Sequence, residues 1–186
     1  MQKIKFNTSY HSDFVDQVMQ ESAENPFLCY QCGKCTAGCP YTFVFDIPVH
    51  QIMRMLQAGL KEQILNSHSL WLCATCESCT TRCPNNIDIA KTMDVLRHIA
   101  RREGYVREKQ VKLFNDSFLE SVKKHGRVFE LGTLVNYVTR TGRFFTDFDL
   151  SPKIIFKGKI AARAHEIQGK EEVNKIFKRF RGEKEQ

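Results

Sequence analysis

At 186 residues, with 42% hydrophobic and 26% charged side chains, the chain has ordinary globular composition, which excludes wholesale disorder and allows one compact unit with tails. Its longest apolar runs are a few residues, far short of the roughly 20 that a spanning helix needs. The N-terminal MQKIKFNTSYHSDF has no apolar secretory core, so a cytoplasmic chain without a membrane span is expected.

In chain order, the first predicted element is a helix over about Asp13 to Glu21, with Phe14, Val15, Val18 and Met19 on one face. LCYQCGKCTAGCP then places cysteines at Cys29, Cys32, Cys35 and Cys39, followed by Pro40. Asp46 is expected to cap a helix with Pro48 in its first turn and a stripe of Val49, Ile52, Met53, Leu56 and Leu60, with Gly59 near its end. A short helix fits near Lys61 to Leu65. LCATCESCTTRCP repeats the cysteine run at Cys73, Cys76, Cys79 and Cys83, again followed by proline, Pro84. Asp88 then caps a second striped helix of Ile89, Met93, Leu96 and Ile99 or Ala100, closed by Gly104. The two stretches share an aromatic-Leu-Cys approach, a four-cysteine turn, Cys-Pro and an Asp-Ile before helical text, so they form an internal repeat.

Beyond Gly104, Val111, Phe114, Phe118 or Leu119, and Val122 share a helical face that stops at Gly126, and another helix is predicted over Val128 to Thr139. From Gly142 to Lys159 the periodicity is lost, with Pro152 as a breaker and Phe144, Phe145, Phe148 and Phe156 in an extended arm. The C-terminal text carries Val173, Ile176, Phe177 and Phe180 on one face amid Lys and Arg. The expected organisation is a mainly α domain over 1–126 and a C-terminal helix and partner-docking arm over 127–186.

Eight cysteines could form four disulfides, but that solution belongs to oxidising compartments and to chains too small to stabilise themselves otherwise. Structural zinc joins two pairs across a longer gap and would leave the third cysteine of each run unused. The spacing Cys-x2-Cys-x2-Cys-x3-Cys-Pro is instead that of a 4Fe-4S run, in which three close thiolates wrap one cubane and, in proteins with paired runs, the fourth ligates the other cluster. The expected ligand sets are therefore crossed: Cys29, Cys32, Cys35 and Cys83 for one cluster, and Cys73, Cys76, Cys79 and Cys39 for the other. Two clusters at roughly −2 each lower the net charge of +7 to about +3, which weakens a nucleic-acid reading of the basic side chains. His50 and His98 read as ordinary surface or core histidines. No GxGxxG or Walker loop marks a nucleotide or flavin site, and no nucleophile-base pair stands out, so no catalytic residue is expected on this chain.

Paired runs separated by helical text of this length resemble the α-helical ferredoxin module. That module is seen in the iron-sulfur subunits of succinate dehydrogenase and fumarate reductase and in the small iron-sulfur C subunits of heterodisulfide reductase. The patterns C-x-x-CG-x-CT-x-x-CP and W-x-C-x-x-C-x-x-C-x-x-x-CP, and the chain's size, are most similar to the last. That resemblance implies an α-helical ferredoxin with two 4Fe-4S clusters that relays electrons from the flavin-containing subunit of heterodisulfide reductase to its catalytic subunit. The catalytic partner would reduce the mixed disulfide of coenzyme M and coenzyme B in methanogenesis. An iron-sulfur subunit of a succinate/fumarate- or glycolate-type dehydrogenase comes second, because the succinate dehydrogenase relatives carry a plant-type 2Fe-2S domain ahead of the module and 28 residues precede Cys29 here. A stand-alone carrier, or a regulatory iron-sulfur protein binding nucleic acid through Arg97, Arg101, Arg102 and the C-terminal basic residues, is the remaining alternative; these three arginines are expected on a solvated helix face.

Overall fold

The structure is a computed structural model that describes residues 12–142, 163–165 and 167–180. The aromatic arm expected from Arg143 to Phe156 lies outside them. Every regular element among the described residues is helical: α1 (Ser12–Ser22), α2 (Lys34–Ala37), α3 (Val49–Gln57), α4 (Lys61–Leu65), α5 (Ser69–Leu72), α6 (Ser78–Thr81), α7 (Ile89–Arg102), α8 (Lys109–His125), α9 (Glu130–Thr141) and α10 (Lys170–Phe180). None of them is long and apolar enough to cross a membrane.

The chain divides into two compact units, Met1–Glu108 and Lys109–Gln186. The boundary expected at Gly126 falls inside the second. In the first unit, α7 packs against α1, α4, α5 and α6, while α3 packs against α2 and α4. The predicted stripes are the core: Ile52, Met53 and Leu56 from α3 and Met93, Leu96 and Ile99 from α7 are almost wholly buried, joined by Val15 and Val18 of α1 and Ile64 and Leu65 of α4. Each such side chain contributes roughly 1.5–3 kcal/mol by leaving water. The two stripes occupy matching positions, Met53 and Met93 each being four residues beyond the first residue of its helix, so the repeat extends from the cysteines into the core.

The helix starts differ from one another. Asp88 caps α7 as expected, its carboxylate accepting from the Lys91 N–H. Asp46 does not cap α3: that helix begins after Pro48 with no side-chain cap on its N-cap residue, and Asp46 instead accepts the N–H groups of His68 and Ser69 at the start of α5. The α3 N-terminus finds its acceptor in the first cysteine run, where Thr36 Oγ1 takes the His50 N–H at 3.1 Å.

The second unit is held differently. Phe114 of α8 and Tyr137 of α9 meet edge to face at 5.7 Å, Glu120 joins Arg140 at 2.9 Å and Asn136 at 3.0 Å, and the Ser121 hydroxyl accepts the Phe129 N–H ahead of α9. Only Ser117 and Thr133 among its described residues are buried. The predicted face of α8 is thus apolar but only partly covered.

Candidate metal centre

Both cysteine runs fold the same way. Each has a residue with positive φ immediately before its second cysteine and another immediately after it: Gln31 (64°) and Gly33 (77°) in the first, Thr75 (50°) and Glu77 (61°) in the second. Backbone whose φ alternates in sign curls round the middle cysteine and turns its N–H groups inward, as an anionic ligand requires. A four-residue helix follows in each run, α2 or α6, and carries the third cysteine. The burial order repeats as well: the first cysteine is half-buried, the second exposed, the third buried and the fourth half-buried, in Cys29 to Cys39 and again in Cys73 to Cys83.

The third cysteine of each run is followed by a threonine that ties the loop to a core helix. Thr36 Oγ1 accepts the His50 N–H in the first turn of α3 and lies 2.8 Å from His50 Nδ1. Thr80 Oγ1 accepts the Ala90 N–H in the first turn of α7 at 3.0 Å and donates to the Asp88 carboxylate at 2.9 Å. The two runs therefore sit against the N-termini of α3 and α7, where the helix dipole favours negative charge. A matched pair of side chains grips the opening of each run. Gln57 Nε2 donates to the carbonyls of Pro26 and Cys29, both at 2.8 Å. Arg97 donates through Nε to the Leu70 carbonyl at 2.6 Å and through Nη2 to the Cys73 carbonyl at 2.5 Å. Arg97, expected on a solvated face, is instead mostly covered, and Arg102 pairs with Glu21 at 2.6 Å.

The runs also meet one another. A shallow cleft that opens to solvent is lined by Cys73, Cys76 and Cys79 of the second run together with Cys39 of the first, and by Phe45, Val49 and Met93. Near the other run, the Tyr30 phenol is pushed above its usual range by desolvation and by the sulfurs of Cys32, Cys83 and Cys29, so the last cysteine of the second run lies within electrostatic reach of the same tyrosine as two cysteines of the first. The Asn85 side-chain amide donates to the Leu28 carbonyl, joining the end of one run to the start of the other. At the contact between α2 and α6, the Arg82 side chain lies so close over Gly38 that a Cβ there would overlap its Cδ, so a larger residue must displace that arginine.

The donor chemistry suits a cationic inorganic core. Burial, reinforced by neighbouring Cys73, pushes the Cys79 thiol up to about 11, and burial likewise raises Cys35. Burial thus disfavours the thiolate form, and a positive centre such as iron would favour it. Hydrogen bonds from Ser78 lower Cys76, the Cys83 sulfur accepts the Ile87 N–H at 3.4 Å, and the Cys29 sulfur accepts from Gln31 Nε2 at 3.3 Å. The threonines, Gln57 and Arg97 were not among the expected site residues. Their signals are the Cys-Thr pair shared by both runs and the common place of Gln57 and Arg97, each eight residues beyond the first residue of its helix.

Comparison with known proteins agrees with this geometry. Residues 27–87 match the family described as a 4Fe-4S dicluster domain. The chain is 36% identical over 96 residues to the iron-sulfur subunit of the CoB–CoM heterodisulfide reductase of Methanopyrus kandleri, covering 51% of this chain and 50% of that protein. It is 33% identical over 94 residues to the corresponding subunit of the H(2):CoB-CoM heterodisulfide,ferredoxin reductase of Methanothermobacter thermautotrophicus, covering 50% and 51%. It is 32% identical over 91 residues to that of the ferredoxin:CoB-CoM heterodisulfide reductase of Methanosarcina mazei, covering 49% and 56%. The chain thus spans about half the length of the curated relatives it matches. Over residues 27–87 it is similar to that 4Fe-4S dicluster domain, and over about half its length it is similar to heterodisulfide reductase C subunits.

Proposed function

We propose that this chain is the electron-relay subunit of a heterodisulfide reductase complex, holding two 4Fe-4S clusters in crossed ligand sets. One set is Cys29, Cys32, Cys35 and Cys83; the other is Cys73, Cys76, Cys79 and Cys39. The observation that carries the reading is the cleft in which Cys39 of one run faces Cys73, Cys76 and Cys79 of the other. Each bound cluster would supply a one-electron carrier. The chain's own residues hold the thiolates in place through the paired positive-φ turns, shield them with Phe45, Val49 and Met93, and stiffen the loops through Thr36, Thr80, Gln57 and Arg97. On this assignment substrate reduction falls to another subunit. In this reading electrons enter from a flavin-containing subunit and leave to a catalytic subunit that reduces the coenzyme M–coenzyme B heterodisulfide, in the cytoplasm. The apolar side chains left uncovered on α8 to α10 support assembly with partners. The basic side chains offered to nucleic acid are in part engaged within the fold, Arg97 on carbonyls and Arg102 on Glu21.

The test is metal analysis of the anaerobically prepared chain, with electron paramagnetic resonance of the reduced form. About eight iron and eight acid-labile sulfide per chain are expected, together with two interacting reduced clusters. Zinc in place of iron would sink the assignment.

A further inference from the structure

We propose that Arg97 raises the reduction potential of the cluster held by the second cysteine run above that of the first, so that electrons pass from the first run toward the second. The inference rests on the two-cluster reading. It starts from a pair of residues that do one job with different charge. Gln57 and Arg97 stand at the same position of α3 and α7, and each hydrogen-bonds two carbonyls at the opening of a cysteine run, one of them the carbonyl of that run's first cysteine. For Cys29 the donor is a neutral amide. For Cys73 it is a guanidinium with 19% of its side chain exposed.

Adding an electron to a cluster adds negative charge, and a nearby cation with little water round it favours that state; net charge, hydrogen bonding and exposure are what set such potentials. Both Cys29 and Cys73 belong to the cluster of their own run whether or not the fourth ligands cross, so the asymmetry does not depend on the crossing. Other charges oppose it. Asp94 Oδ1 lies 3.2 Å from Arg97 Nη1, and Arg54 Nη1 donates to Gln57 Oε1 at 3.1 Å. Lys34 in the first loop and Glu77 in the second lean the same way as these. Asp94 is 41% exposed, and Arg54, Lys34 and Glu77 are exposed residues. Water therefore screens all four, whereas Arg97 spends its N–H groups directly on the loop carbonyls. The covered charge, hydrogen-bonded to the loop itself, dominates. With clusters held by both runs, one electron would pass from the site of Cys29, Cys32 and Cys35 to that of Cys73, Cys76 and Cys79, oxidising the one and reducing the other with no bond or proton to move.

The experiment is a redox titration of the iron-loaded full chain followed by electron paramagnetic resonance, with iron and sulfide counted on every variant. Wild type should give two one-electron midpoints. Arg97→Gln, which installs the side chain that already serves the first run, should lower the higher midpoint by an amount equivalent to about a tenfold change in the electron distribution, ~59 mV for one electron. The lower midpoint should stay in place. Arg97→Lys, which keeps the charge, should restore most of the shift. Gln57→Arg should raise the lower midpoint and close the gap from the other side. Unchanged midpoints in fully loaded Arg97→Gln, or movement of the lower wave instead, overturn the proposal while leaving the two-cluster reading intact. If Arg97→Gln loses iron, Gln57→Arg decides: a raised lower midpoint supports the proposal and an unmoved one overturns it. A wild-type chain without two clusters overturns both.

Discussion

The Asp46 carboxylate accepts from the Ser67 and Ser69 hydroxyls at 2.8 and 2.6 Å and from the N–H groups of His68 and Ser69, both at 3.0 Å. Partial burial works against its ionisation, but these four donors outweigh it and hold the carboxyl at about 2 against an ordinary 3.8. A folded pKa below the unfolded one means that the contact stabilises the fold above the ordinary value and that this contribution fades as pH falls from about 4 through about 2. Because the donors lead directly into α5 and Cys73, Asp46→Asn should shed cluster absorbance faster than wild type at pH 6. The two decay curves should converge as the pH drops through that window; a constant ratio between them would show that ionisation of Asp46 is irrelevant. The cysteines give a second prediction at this scale. With crossed ligands, Cys39→Ala should damage first the cluster built on Cys73, Cys76 and Cys79, and Cys83→Ala the cluster built on Cys29, Cys32 and Cys35. Loss of the local cluster's spectrum instead would establish uncrossed ligation.

Within the cysteine loops, the same backbone is built once with glycine and once without. Gly33 and Glu77 both have positive φ, 77° and 61°, and the left-handed region costs an ordinary side chain roughly 1–2 kcal/mol while costing glycine none. A Cβ added at Gly33 would meet no atom within 4 Å, so Gly33→Ala tests backbone strain alone. It should lower the apparent melting midpoint of the iron-loaded chain by several degrees, and Glu77→Gly should raise it by a smaller amount, since the glycine also loosens the unfolded chain. Equal effects of the same sign would refute the strain argument. What could be read from the text follows the same local logic. Cysteine spacing, the Asp88 cap and the stripes of α3 and α7 depend on neighbours a few residues apart, so they were legible. The partners of Asp46, lying 21 to 23 residues on, and the grip of Arg97 on Cys73, 24 residues back, depend on how distant segments pack, and charge pattern alone placed Arg97 in water. Asp46 looked like a helix cap because it is one, but for α5 instead of α3.

Across the whole chain, the cysteines and the buried apolar core lie together in one unit, while the second keeps its described apolar residues at or near the surface. Met1–Glu108 contains all eight cysteines and every large apolar side chain that is fully buried among the described residues. Lys109–Gln186 buries only Ser117 and Thr133 among its described residues and leaves Phe114, Phe118, Leu119, Leu134, Val135, Ile176 and Phe180 exposed, the last at 82%. A unit that keeps its apolar residues at the surface gains little from folding by itself and much from a partner that covers them. A chain ending at Glu108 should therefore take up the full complement of about eight iron and show the reduced-cluster spectrum of the intact protein. It should fail to co-purify with the flavin-containing or catalytic subunit. Substituting Phe114 and Phe118 together by serine in the full chain should weaken assembly in the same sense without loss of iron, which separates a docking role from a general need for the second unit. If the shortened chain cannot hold its clusters, the second unit supports the first; if it holds them and still assembles and passes electrons at the full rate, the partners dock on the cysteine repeats, where Phe27, Tyr30 and Phe43 are also exposed.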